Sequence, residues 1–187
     1  MRITGGLYRG RVLEAPKGRD IRPTSDKVRL AVFNMLNGRG LVRDAVVMDV
    51  FCGTGALGIE ALSWGAAEVL FIDKARESLD LCKKNCTTLK IGNASFLLKD
   101  SAKLGPRPAT QPAATLVFLD PPYRKDMVQQ SLSALKEGRW MADEACLVIE
   151  TESSFDESLI DADILLSKNY GDTKIMLAAV AGPQTGE

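Results

Sequence analysis

The stretch Asp49-Val50-Phe51-Cys52-Gly53-Thr54-Gly55-Ala56-Leu57-Gly58 joins an apolar run, residues 45–50, to an apolar-periodic run, residues 56–64. The first run has the length and make-up of a buried strand, and the second reads as a helix opened by glycines. Glycines at such a junction supply the tight turn and let a ligand approach the backbone closely. Gly53, Gly55 and Gly58 fit G-x-G-x-x-G, the dinucleotide-binding fingerprint, so a nucleotide-type ligand is the first expectation.

Outward from that stretch the alternation continues. Strands are expected at 68–72, 95–98, 115–119 and 145–149, with helices at 75–90 and 127–135. In the helix at 75–90, apolar residues 75, 79, 82, 86 and 89 share one face. Two more strands, 164–167 and 174–180, flank a turn at Asn169-Tyr170-Gly171-Asp172. This pattern predicts an α/β protein with a Rossmann-like, mostly parallel seven-stranded sheet, helices on both faces and a terminal antiparallel hairpin. The Pro- and Gly-rich segment 105–114 is expected to be a mobile loop, and the tail after Gly182 to be disordered.

Upstream, residues 2–4 and 11–13 are short extended pieces around Gly5-Gly6 and Arg9-Gly10, which predicts a small hairpin. Thr24 or Ser25 can cap a helix whose Val28, Ala31, Val32, Met35 and Leu36 lie on one face, with Asn37-Gly38 and Gly40 ending it. The 187 residues suit one domain, with 1–23 as a basic extension, 24–182 as the core and 183–187 as a tail.

Composition narrows the chemistry. There is no histidine, which removes Ser-His-Asp and Cys-His catalysis and the usual mixed zinc sites. Cys52, Cys82, Cys86 and Cys146 form no CxxC pair, and Cys82 and Cys86 share a helix face, so burial is expected and no metal site. No apolar run approaches the roughly 20 residues that span a bilayer, and the start lacks a leader's apolar core. A cytoplasmic monomer without membrane contact is the expectation. The net charge of zero hides an asymmetry: residues 1–43 hold ten Lys/Arg and three acids, net +7, leaving −7 on the rest. A basic head on an acidic body suggests a polyanionic partner.

Three acids stand at the carboxyl ends of the first three strands: Asp49, Asp73 and Asp100. Ligands of open α/β sheets bind in the crevice there, and an acid placed like Asp73 can accept both ribose hydroxyls. Asp49 would be poor company for a pyrophosphate but suits a cationic amino-acid moiety. S-adenosylmethionine carries an ammonium and a sulfonium and no phosphate, so it fits better than NAD(P), which stays a rival. Asp100 could bind the adenine amine. Phe51, Lys74 and Ser101 sit beside these acids.

Asp120-Pro121-Pro122-Tyr123 follows the fourth strand. An acid, two prolines and an aromatic at that place can hold a flat exocyclic amine. Asp120 and the Pro121 carbonyl would accept its N–H bonds, Pro122 would fix the turn and Tyr123 would stack on the base. A nucleobase amine is a poor nucleophile, so such catalysis rests on positioning and electrostatics. For the basic head, Arg9, Arg11, Arg22, Lys27 and Arg29 are the candidates for phosphate contacts.

D-P-P-[YF] behind D-x-F-x-G-x-G resembles the Rossmann-like N-methyltransferases. Arg2-Ile-Thr-Gly-Gly6, Arg9-Gly-Arg11, Arg22-Pro-Thr-Ser-Asp-Lys-Val-Arg29, Phe33-Asn34, Gly55-Ala-Leu-Gly58-Ile-Glu-Ala-Leu62 and Trp140-Met-Ala-Asp-Glu-Ala145 narrow the likeness. Together they resemble the RsmD family of bacterial rRNA methyltransferases over residues 2 to about 180. The resemblance implies methylation of guanine N2 in small-subunit (16S) rRNA, free or in the assembled subunit. It also implies cofactor contacts from Asp49, Gly53, Gly55, Asp73 and Asp100, and base contacts from Asp120 to Tyr123. The four ledge residues alone fit guanine or adenine. An adenine-N6 methyltransferase, a noncatalytic RNA-binding assembly factor and an NAD-dependent oxidoreductase are the alternatives.

Overall fold

The computed structural model describes residues 1–16, 25–122 and 126–180. In chain order the strands are β1 (Val46–Val50), β2 (Glu68–Asp73), β3 (Ala94–Leu98), β4 (Ala114–Leu119), β5 (Met141–Glu152), β6 (Asp163–Tyr170) and β7 (Thr173–Ala179). The helices are α1 (Asp26–Gly38), α2 (Ala56–Ser63), α3 (Arg76–Thr88) and α4 (Met127–Glu137). The seven strands form one sheet in the order β3-β2-β1-β4-β5-β7-β6. β1 to β5 pair in parallel, and β7 runs antiparallel to both β5 and β6. The chain therefore moves outward from β1 to β3 and returns to lay β4 on the other side of β1. That reversal is a topological switch point, and the crevice it opens lies at the carboxyl ends of the strands.

The strands are apolar on both faces because both faces are covered. Val47, Phe71, Phe118 and Val148 pack with Phe33 and Leu36 of α1, Ile59 of α2, and Leu79 and Cys82 of α3. On the opposite face Val50, Ile72, Leu119 and Ile149 pack with Val128, Leu132 and Leu135 of α4, and with Leu104 and Trp140. Burying each such side chain stabilises the fold by roughly 1.5–3 kcal/mol relative to exposure. The cysteines behave as small core residues: all four are free thiols and buried. Among the described residues no helix is long and apolar enough to cross a membrane, and no cluster of His, Cys, Asp and Glu could hold a metal ion.

The basic head is part of this core. Arg2 and Val12 form an antiparallel bridge, as the hairpin expectation requires. Ile3 and Leu13 are buried in the cluster beneath α1–α3. The Glu60 side chain on α2, fully buried, gathers the surrounding donors. It accepts from the Thr4 and Gly5 N–H groups at 2.9 Å, the Thr4 hydroxyl at 2.7 Å, Trp64 Nε1 at 3.0 Å and Arg29 Nε at 3.0 Å. Gly5 is small for the sake of this packing, since a Cβ there would stand 2.2 Å from the Trp64 ring.

Three expectations change. Arg29 is 1% exposed, bound to Glu60, to Asp26 and to the Arg2 carbonyl, so it is a core ion-pair residue and not a phosphate contact. The segment 105–114 is tied down. Arg107 donates to the carbonyls of Gly138, Arg139 and Gln111, and Trp140 Nε1 reaches the Gly105 carbonyl at 2.8 Å. β5 begins at Met141, four residues early, because its first part pairs with Ala114 across a register shift; Glu144 sits there at φ 60°. The tail beyond residue 180 lies outside the described residues.

Candidate active site

The β1–α2 turn is built around backbone geometry that only its neighbours can maintain. Phe51 lies at φ 82°, Gly53 at 52° and Gly55 at 81°. For phenylalanine this conformation costs on the order of 1–3 kcal/mol. It is held because the N–H groups of Phe51 and Cys52 both donate to the Ile72 carbonyl, at 3.0 and 2.9 Å. Gly55 is enforced twice, by its positive φ and by Cys82 Sγ, which would lie 2.4 Å from an added Cβ. Gly58 lets α2 sit on the sheet: a Cβ there would meet the Phe71 ring at 2.3 Å. Gly53, by contrast, faces open space, with the nearest atom to a hypothetical Cβ 4.0 Å away. A ligand has room at that glycine.

The three strand-end acids each brace the backbone of the crevice. Asp49, buried in β1, accepts from the Gly58 N–H at 2.9 Å, in the first turn of α2. Asp73 accepts from the Gly53 N–H at 3.0 Å and from Ala75 N–H at 2.8 Å. Asp100 caps the short 3-10 turn Ser101–Lys103 through a 3.1 Å bond from Ala102 N–H. Each carboxylate oxygen has a second lone pair, so these bonds fix the acids in place while leaving acceptor capacity for a ligand. Burial pushes the Asp49 carboxyl up to about 7, against the lowering pull of the Gly58 N–H, with the nearby Asp73 charge adding to the rise.

Beside them opens a shallow cleft lined by Phe51, Ile72, Asp73, Lys74, Lys99 and Ser101. Phe51, Asp73, Lys74 and Ser101 are thus brought to one wall as the sequence suggests. Asp49 lies beneath the turn and Asp100 beside Ser101. Ser101 is buried, and its hydroxyl is 2.8 Å from that of Ser131 on α4, which anchors the cleft floor to the opposite helix layer. Lys99 lines the cleft without any sequence signal marking it. A lysine just past the end of edge strand β3 reads as a solvated charge, and its Nζ bond to the Leu104 carbonyl, at 2.5 Å, turns it toward the cleft.

Across the switch point, Asp120 follows Leu119, which pairs with Val50 on one side and Ile149 on the other. Asp120 is half-buried, Pro121 buried and Pro122 exposed; Tyr123 lies outside the described residues, as does Arg22. Next on the adjacent strand is Glu150, 6% exposed. Strands stand about 4.8 Å apart, so Asp120 and Glu150 are lateral neighbours. Burial, the Glu150 charge and then the Asp49 charge hold the Asp120 carboxyl well above the usual carboxylate range. Glu150 was invisible in sequence because it continues an apolar strand and belongs to no motif.

Arg9, Arg11 and Lys27 are exposed. The turn carrying Arg9 packs by Ser63, whose carbonyl accepts from Leu7 N–H at 2.7 Å and whose hydroxyl accepts from Tyr8 N–H at 2.8 Å. Ser63 ends α2, whereas the crevice opens at its start. Eight helical residues rise about 12 Å, so the Arg9 turn stands a helix length from the crevice and not at its lip.

This switch-point crevice, strained glycine turn and strand-four ledge define the Rossmann-like class I methyltransferase fold. The model of the family described as "Conserved hypothetical protein 95" matches residues 1–179. The chain belongs to that family, the RsmD family of methyltransferases. It is 38% identical over 152 residues to ribosomal RNA small subunit methyltransferase D of Escherichia coli K12, covering 81% of this chain and 75% of that protein. It is 36% identical over 154 residues to the protein of the same name from Haemophilus influenzae, covering 81% and 79%. Among solved structures the Escherichia coli protein yhhF superposes with a TM-score of 0.83 at 34% identity, over 97% of this chain and 98% of that one. The fold alone is shared with magnesium protoporphyrin IX methyltransferase of Synechocystis PCC 6803, solved with bound SAM, at a TM-score of 0.65 and 20% identity over 83% and 79% of the chains.

Proposed function

We propose that this protein transfers a methyl group from S-adenosylmethionine to the exocyclic N2 amine of a guanine in small-subunit rRNA. The observation that carries the reading is the placement of the Asp120-Pro121-Pro122 ledge directly across the switch point from the acid-braced glycine turn. The donor set suits that cofactor: carboxylates at Asp49, Asp73 and Asp100, an open approach at Gly53, and the Phe51 ring in the cleft wall. When bound, S-adenosylmethionine supplies an electrophilic methyl on sulfonium. Asp49 would favour its cationic amino-acid end, Asp73 its ribose hydroxyls, and Asp100 and Ser101 its adenine, with Lys74 at the rim.

The chain's own part in the chemistry is positional. Asp120 and the Pro121 carbonyl accept the amine's two N–H bonds, which turns its lone pair toward the cleft. Pro122 fixes the ledge and Tyr123 stacks on the base. The elevated affinity of Asp120 for protons suits it to take the proton that the amine loses. Arg9, Arg11, Arg22 and Lys27 supply phosphate contacts, which give affinity without sequence choice. Arg9 would grip RNA well away from the target base, which must be unstacked to reach the ledge. On this reading the enzyme works as a monomer in the cytoplasm, on rRNA that is free or assembled in the small subunit. The choice of guanine over adenine rests on the resemblance to the RsmD family, while the names of its relatives support small-subunit rRNA as the substrate.

The test is Asp120→Ala. It abolishes methyl transfer to unmethylated small subunits while binding of S-adenosylhomocysteine stays near normal. Loss of cofactor binding in parallel would put Asp120 on the wrong side of the crevice.

A further inference from the structure

Asn85 sits on α3, 3% exposed, outside every motif of the sequence. Its amide is fully used. Oδ1 accepts from the Glu14 N–H at 2.9 Å, while Nδ2 donates to the Glu14 carbonyl at 3.2 Å and to the Thr54 carbonyl at 3.0 Å. Toward Glu14 it acts as a neighbouring strand would, meeting both backbone groups of one residue. Toward Thr54 it reaches the centre of the glycine turn, between Gly53, held by Asp73, and Gly55, held by the Cys52 carbonyl at 2.7 Å. Met1 touches the same residue, its sulfur accepting from the Thr54 hydroxyl at 3.7 Å.

Glu14 ends the ladder that carries the exposed arginines. Leu13 N–H donates to the Met1 carbonyl at 3.1 Å, and Ile3 N–H to the Arg11 carbonyl at 2.9 Å. Hydrogen bonds and the backbone between them therefore link Arg11 through the head to Asn85 and on to the Thr54 carbonyl, next to Gly53. A buried amide with every group satisfied is rigid, and removing its donors leaves buried carbonyls without partners.

We propose that Asn85 is a positioning residue that couples the basic head to the cofactor turn, so that engagement of RNA by the head raises affinity for the cofactor. The coupling half rests on reading the head as an RNA contact. Linkage makes it reciprocal: cofactor tightens RNA binding by the same factor.

The test uses the full chain and tritiated S-adenosylhomocysteine, which binds without turnover. Its dissociation constant is measured for free enzyme and with saturating unmethylated small ribosomal subunits. The wild type should bind it about 5-fold or more tightly in the complex, within the usual range of coupling factors. In Asn85→Asp a carboxylate oxygen replaces the donating nitrogen and faces the Glu14 and Thr54 carbonyls. Free-enzyme affinity should fall and the factor should collapse to about 1. Asn85→Ser, which cannot span the gap but adds no charge, should give the same collapse should the first variant not fold. Lys84→Ala removes the exposed Lys84–Glu14 pair at 2.7 Å and should keep the wild-type factor. An unchanged factor in both Asn85 variants overturns the proposal, as does a collapse in Lys84→Ala alone. Failure of the wild type to bind subunits at all defeats the reading of the head, and the coupling falls with it. Binding without an Asn85 effect leaves that reading standing and rejects only the coupling.

Discussion

Replacing Glu60 by glutamine isolates what holds the head to the body. The carboxylate is fully buried and is the buried counter-charge of Arg29, itself 1% exposed. Removing one member of a buried pair costs about 3–5 kcal/mol. Asp26 softens this, since its Oδ1 lies 2.9 Å from Arg29 Nη2, but it is half exposed and worth at most about 1 kcal/mol. The glutamine NH₂ also meets donors in either orientation: Oε1 now accepts from Thr4, Gly5 and Trp64, and Oε2 from the Thr4 N–H and Arg29 Nε. A net loss of about 2–4 kcal/mol is expected. For a domain of this size that lowers the melting temperature by about 4–16 °C, at about 2–4 °C per kcal/mol. Thermal unfolding followed by far-UV circular dichroism reads it directly. Arg29→Met added to the variant should cost less than the sum of the two single changes, by about 0.5–3 kcal/mol of coupling. A Glu60→Gln variant melting within about 2 °C of wild type, or strict additivity in the double variant, would refute the claim that this pair anchors the head.

Other outcomes follow from the electrostatics of the crevice. If Asp49 must be ionised to favour a cationic ligand, S-adenosylmethionine affinity should rise with pH through about 7, where the buried carboxyl loses its proton. Calorimetry below that pH should show uptake of the released proton by buffer, and a flat affinity from pH 6 to 8 would remove Asp49 from the cofactor site. Glu150→Gln removes a negative neighbour that raises Asp120, so the Asp120 carboxyl should titrate lower and the acid limb of the pH–rate profile should move to lower pH. An unmoved limb would mean that the two carboxylates do not interact. Arg9→Gln with Arg11→Gln should weaken RNA binding and reduce the slope of log affinity against log salt by up to about 1.4–1.8, two phosphate contacts' worth. An unchanged slope would dismiss these exposed arginines as contacts.

The fold was legible wherever local pattern decided it. Apolar runs and helical spacing place β1, β2, β4, α2 and α4 within a few residues, and the glycine turn declares itself because glycine is required where φ is positive or another chain crowds in. What escaped depends on partners far along the chain. Arg29 has the composition of a phosphate contact, and its burial follows from Glu60, thirty-one residues on. Gly5 reads as a turn residue, whereas the Trp64 ring explains its size. The start of β5 was hidden by Asp143-Glu144, a polar break that the sheet absorbs with a register shift. In the crevice, motif residues were found at strand ends, but Lys99, Glu150 and Asn85 carry no local signal. Each earns its place only through what the tertiary fold sets beside it.

The central claim is the identity of the methylated atom. Incubation with S-[methyl-³H]adenosylmethionine and unmethylated small subunits, naked rRNA or DNA, followed by nucleoside digestion and chromatography, decides it. The account predicts label in N2-methylguanosine from small-subunit rRNA, with none from DNA. Label in N6-methyladenosine, or none in any RNA, would contradict it.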